Sequence, residues 1–151
     1  MSLSDTLGYL QTINAGVSGI KSAPTKYPRV FNTAQLRMIL TWPDACDWMH
    51  ITAGDLRRQD RVWRLECYVT PLTQGQGIDG PIQDCMELLL LLAEEYLDVD
   101  NLLLNSSSPQ VFIQTDGASL NDDGYQVLRY PPGEGTAYHG FIFRVRITEK
   151  W

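Results

Sequence analysis

Residues Pro81–Asp98 read PIQDCMELLLLLAEEYLD, and the spacing within them predicts one amphipathic helix on which the rest of the chain is organised. Ile82, Cys85, Met86, Leu89, Ala93, Tyr96 and Leu97 recur at three- and four-residue steps and form a core-facing stripe, which Leu88 and Leu92 widen. Asp84, Glu87, Glu94 and Asp98 mark the opposite, wet row. Asp79 or Gly80 suits the N-cap, Pro81 suits the first helical position, and Asp84 places negative charge near the positive dipole end. The run Leu88–Leu92 spreads apolar side chains around nearly the whole circumference, whereas a single helix on a small domain buries one stripe. Leu91 falls in the wet row between Glu87 and Glu94, and Leu90 lies beside it. These two leucines are candidate subunit contacts; single exposed leucines are also ordinary on protein surfaces, and both readings stand.

Around this helix the sequence reads as strands. Val62–Thr70 places Trp63, Leu65, Cys67 and Val69 on one face and Arg64, Glu66, Tyr68 and Thr70 on the other, a core face and a wet face. Tyr138–Thr148 repeats the pattern, with Phe141, Phe143, Val145 and Ile147 in one row, and these two apolar rows are expected to pack together beneath the helix. Leu36–Trp42 alternates as a strand ending at Pro43, and Asp47–Thr52 is a short strand or irregular. Leu102–Leu104 follows the helix, then come a Ser-rich break at Ser106–Pro109 and a short strand at Val111–Thr115. Gln126–Tyr130 forms a hairpin with the last strand through Pro131–Gly135, and Gly117–Gly124 is a polar turn. Before all of these, Ser4–Gly16 predicts a modest helix with Leu7, Leu10 and Ile13 on a thin apolar side, followed by a Pro-bearing arm at Lys21–Thr33. Strands that adjoin in sequence favour an α+β fold: a mostly antiparallel sheet packed against one long apolar helix, with a short N-terminal helix, in a single domain spanning 1–151.

The 151 residues, 44% hydrophobic, suffice for one core. The apolar helix carries too many carboxylates for a membrane span, and Met1–Leu10 lacks the basic start and apolar stretch of a secretory signal. Three cysteines, Cys46, Cys67 and Cys85, lie in or beside apolar segments as buried thiols of a reducing compartment would. A net charge of −6 and a pI near 4.7 disfavour sequence-specific nucleic-acid binding, which needs an excess of phosphate-neutralising charge. The charge is unevenly placed. Arg57, Arg58, Arg61 and Arg64 cluster, while Asp116, Asp122 and Asp123 make an acidic segment; solvated loops or complementary faces on neighbouring copies both account for this.

Motifs for chemistry are weak. Gly75, Gly77 and Gly80 spell GxGxxG between strand and helix, but Pro81 follows directly and no run of βαβ units accompanies it, so a loop that docks a partner through Gln74, Gly75, Gly77 and Gly80 is the expectation, with no cofactor. Asp44, Cys46 and His50 lack the second ligand pair that a structural zinc requires. Neither converging carboxylates nor a GxSxG nucleophile appears, so no enzyme is expected.

The layout resembles the tail terminator family of long-tailed bacteriophages, which cap a tail tube and join it to the head. The resemblance rests on the opening helix, the arm around Lys26-Tyr27-Pro28, the strand Trp63–Val69, the Gly-rich loop into a leucine-rich helix, and the closing strand Tyr138–Ile147. It implies a homo-oligomeric, hexameric ring that contacts the tail tube protein and the head–tail connector, in the virion and, during assembly, the host cytoplasm. Leu90, Leu91, Arg57, Arg58, Arg61 and Arg64 are the candidate subunit interface. Other phage neck, minor tail or tail-completion roles stay open, as does a non-viral small-molecule binding module with a pocket between the Gln74–Gly80 loop and the Trp42–Trp48 segment.

Overall fold

A computed structural model of the chain describes residues 3–50, 57–72, 79–98, 102–106, 110–114 and 120–150, without the side chains of 3, 48–50 and 57. Alternating rows of apolar residues give strands β1 (Met38–His50), β2 (Arg57–Pro71), β3 (Leu103–Asn105), β4 (Gln110–Gln114), β5 (Leu120–Tyr130) and β6 (Thr136–Lys150). Helix α1 (Leu3–Ala15) precedes them, and α2 (Asp79–Leu97) lies between β2 and β3. The strands form one six-stranded sheet with every named pair antiparallel. β6 is its axis: β2 runs along one side, and β5 then β4 share the other. The fold is therefore mixed α+β, a large antiparallel sheet with two helices.

The expected rows meet in register. Trp63 lies opposite Val145, Leu65 opposite Phe143 and Cys67 opposite Phe141, and all are buried in one cluster with Cys85, Leu88, Leu89, Leu92 and Tyr96 of α2. Close approach of β2 and β6 depends on Gly140, where an added Cβ would lie 2.1 Å from the Cys67 carbonyl oxygen. Along α2 the core stripe is narrower and turned from the one expected: Leu92 lies near its centre and Leu88 at one edge, while Met86 and Leu97, assigned to it from sequence, are 41% and 56% exposed. At about 100° per residue, Cys85, Leu89, Leu92 and Tyr96 define a direction from which Met86 and Leu97 lie roughly a third of a turn away. The helix is amphipathic, and Asp79 and Gly80 lie within its first turn rather than ahead of it.

α1 compensates for its thin apolar side with hydrogen bonds. Its buried Gln11 donates to the Ile39 carbonyl at 3.0 Å and to that of Pro24 at 2.7 Å, and Asn14 donates to Gln11 Oε1 at 2.8 Å. Tyr96 of α2 donates to Asn14 Oδ1 at 2.7 Å, and Thr41 of β1 to Gln11 Oε1 at 2.9 Å. This satisfied network ties both helices, the arm and β1 together, which an apolar contact of the same size would do with less directional restraint.

The second face of the sheet is not the wet surface that alternation suggested. Tyr68 is fully buried there and Glu66 nearly so, because the arm folds over Met38, Leu40, Tyr68, Leu128, Tyr130 and Tyr138. Phe31 stacks on Tyr130 at 4.1 Å and meets Tyr68 and Tyr138 edge-on, while Tyr27 meets Trp42 edge-on at 4.8 Å. Tyr27 OH bonds the Thr41 carbonyl and accepts from the Thr41 amide at 2.9 Å; burial, outweighing that backbone bond, pushes its phenol up to about 12. β1 also runs past Pro43, the residue expected to end it, by a bulge between Pro43 and Cys46. Of the polar segment expected as a turn over Gly117–Gly124, residues 117–119 lie outside the described residues, and Leu120–Gly124 is instead the start of β5. A bulge between Asp122 and Tyr125, with Gly124 at φ 70°, keeps it paired to β6.

Candidate assembly interface

The outer face of α2 exposes apolar side chains in two rows. Leu90 is 63% exposed and falls in line with Met86 and Leu97; Leu91, 40% exposed, lies around the helix in the row of Glu87 and Glu94. Met86 and Leu97 belong to this surface and not to the expected core stripe; their i, i+4, i+11 relation with Leu90 is visible in the sequence once the core stripe is placed. The helix carries five carboxylates, Asp79, Asp84, Glu87, Glu94 and Glu95, and no Lys or Arg, in a chain whose net charge is −6. Arg37 stands 3.7 Å from Asp84.

The arginine segment lies elsewhere. Arg58 and Arg64 share the row of Tyr68, on the arm side of the sheet, whereas Arg61 shares the row of Trp63, on the helix side. A single copy of the chain therefore does not bring Leu90 and Leu91 together with Arg58 and Arg64. The arginines are also engaged. Arg58 Nε is 2.9 Å from Asp60, Arg64 is 3.2 Å from Glu66 and 3.8 Å from Asp44, and Arg61 donates to the Asp44 carbonyl at 2.9 Å. Burial pushes the Asp60 carboxyl up, but bonds from Arg58 and from Thr148 Oγ1 at 2.7 Å outweigh it and hold the group below the usual carboxylate value. Nearby, Arg144 meets Asp123 at 2.8 Å and Arg146 meets Asp47 at 3.7 Å, so the uncovered part of this sheet face is a field of ion pairs. The side chain of Arg57 lies outside the described residues.

Of the candidate docking loop, Gln74, Gly75 and Gly77 lie outside the described residues, and Gly80 is an exposed position in the first turn of α2. A cleft of about 400 Å³ opens at the end of β2, lined by Gly19, Lys21, Thr33, Arg37, Thr70 and Pro71 among others. Thr70 Oγ1 is buried there without a hydrogen-bond partner among the described residues. This is not the pocket expected at Trp42–Trp48: Trp42 packs against Tyr27, and the Trp48 side chain is outside the described residues.

Among the described residues no group of three metal-binding side chains comes together, and Asp44 is engaged with Arg64. Cys46, Cys67 and Cys85 are free; burial raises all three thiols, Cys85 to about 11, the reverse of what an activated nucleophile needs. His139 is buried in a 2.6 Å hydrogen bond with Tyr125 OH. Among the described residues no helix is long and apolar enough to cross a membrane. No protein-family model matches the chain, and neither does any curated protein.

Proposed function

We propose that this chain is a bacteriophage tail assembly protein that caps the tail tube as a homo-oligomeric ring, a hexamer, and joins it to the head connector. In this reading α2 is the long apolar helix of a sheet-and-helix fold, and the protein acts by binding rather than by catalysis. The observation that carries it is the outer face of α2, where Leu90 stands 63% exposed beside the exposed Met86 and Leu97 with nothing over them among the described residues. Covering a leucine side chain contributes about 1.5–3 kcal/mol, so a face with several has a substantial driving force for association. The faces that differ on the two sides of the sheet suit a head-to-tail contact that closes by rotation. The tube protein, the connector, and a place in the virion after assembly in the host cytoplasm follow from the same reading.

Electron microscopy of the purified protein mixed with tail tubes tests it: capped ends carrying a closed ring are the expected result, and bare ends at saturating protein overturn it. The cleft beside Thr70 favours a second reading, a small-molecule binding module. A gene neighbourhood with tape-measure and major tail genes supports the first, a metabolic operon the second.

A further inference from the structure

The outer face of α2 has apolar and negative groups but no cation, and the opposite side of the molecule holds their complement. The arm that crosses the second sheet face turns Tyr27 and Phe31 inward to the aromatic cluster. Between and beside them Lys26, Arg29 and Val30 point outward, Val30 being 75% exposed. Lys26 and Arg29 form no ion pair among the described residues, in contrast to Arg58, Arg64, Arg144 and Arg146, each of which has a carboxylate within 4 Å on its own face. Glu87 and Glu94, which flank Leu90 and Leu91, form none either. The described residues thus include one segment where exposed cations outside any ion pair accompany the exposed Val30, and one helix face where carboxylates outside any ion pair accompany exposed leucines. The two lie on opposite sides of the sheet.

We propose that the arm of one copy docks on α2 of the next, with Val30 against Leu90 and with Lys26 and Arg29 against Glu87 and Glu94. The inference rests on the reading that copies of this chain associate, and it replaces the β2 arginines with the arm as the cationic half of the contact. Because the two surfaces differ and face opposite ways, the contact is heterologous, and repeating it produces a ring or a helical stack, not an isologous dimer. Pairing opposite charges around an apolar centre sets orientation and excludes the like-charged pairing of helix on helix. The aromatic anchoring of the arm holds its cations in place before binding, which lowers the entropy cost of docking.

The full-length chain separates the possibilities through three variants measured by sedimentation velocity, with circular dichroism reporting the fold. K26E/R29E and E87K/E94K should each remain folded and associate at least about tenfold more weakly than the unaltered chain, because each places like charges across the contact. An equimolar mixture of the two should regain assembly, since each variant then presents its altered surface to a partner with the opposite sign. Val30→Ser should weaken association without altering the fold. If the charge-reversed variants assemble as well as the unaltered chain, or if the mixture fails to assemble, the arm contact is wrong. In that case tube ends still capped by the unaltered chain leave the ring reading standing. If the unaltered chain stays monomeric at millimolar concentration, the proposed self-contact is wrong, whatever the tubes show.

Discussion

Gly140 has no side chain because β2 leaves it no space. A methyl group there would sit 2.1 Å from the Cys67 carbonyl oxygen, an atom held by the β2–β6 ladder, and Leu128 closes the site at 3.0 Å. Gly140→Ala should therefore destabilise the protein by about 1–3 kcal/mol or more, as overpacking against backbone does. Thermal unfolding measures this, and an unchanged midpoint would contradict the register given for β2 and β6. Leu90 and Leu91 are the opposite case, exposed residues outside the core cluster. Leu90→Arg and Leu91→Arg should each leave stability within about 0.5 kcal/mol of the parent while abolishing ring formation and tube capping. Tubes still capped by a folded Leu91→Arg protein would exclude its row of α2 as a contact.

The arm shows how an element without regular structure becomes part of the core. Pro24 and Pro28 keep it extended, and Phe31 inserts among Tyr68, Tyr130 and Tyr138 while the OH of Tyr130 reaches back to bond the Pro28 carbonyl. Phe31 is half-buried, so Phe31→Ala should cost about 2–3 kcal/mol, less than the roughly 3–5 of a fully buried phenylalanine. It should also free the arm: protease cleavage within residues 21–33 is the check, and an arm as resistant as the parent's would show that Phe31 does not anchor it. α2 and β2 teach a related lesson. Their type is plain from spacing, yet the rotation of the helix and the cover over the second face of β2 are not, because spacing fixes which residues share a row and not what covers that row. Tyr68 was the signal for the second face, an aromatic in a row otherwise polar, and only the arm, more than thirty residues earlier in sequence, explains it.

For the molecule as a whole, pH reports the buried groups. Asp60 ionises more readily folded than unfolded, so its contribution to stability is complete above the ordinary carboxylate value and is lost as pH falls through the lower folded value. Tyr27, raised to about 12, works in the other direction: its contribution is complete below the ordinary phenol value near 10 and is lost as pH rises from there through its folded value. Burial raises Tyr68 and Tyr96 further, so they add to the same alkaline limb. Denaturant midpoints should hold level from about pH 5 to about pH 9 and fall on both sides. Asp60→Asn should flatten the acid limb, and Tyr27→Phe should make the alkaline one shallower; a Tyr27→Phe protein with the parent's alkaline limb would show that this phenol is not buried in solution.

By itself the sequence determined the α2 helix, the facing apolar rows of β2 and β6, and the α+β class. Each follows from periodicity within a single element, and a 3.6-residue or two-residue repeat is a local property that survives any arrangement of the rest. Tertiary structure alone decided that the arm buries the second sheet face, that β1 passes Pro43 through a bulge, and that Met86 and Leu97 lie outside the core. It also decided that Arg58 and Arg64 are paired on the side away from α2 while Lys26 and Arg29 have no ion pair among the described residues. Burial and charge pairing depend on which distant segment arrives above a given row, and no repeat within that row encodes its neighbour.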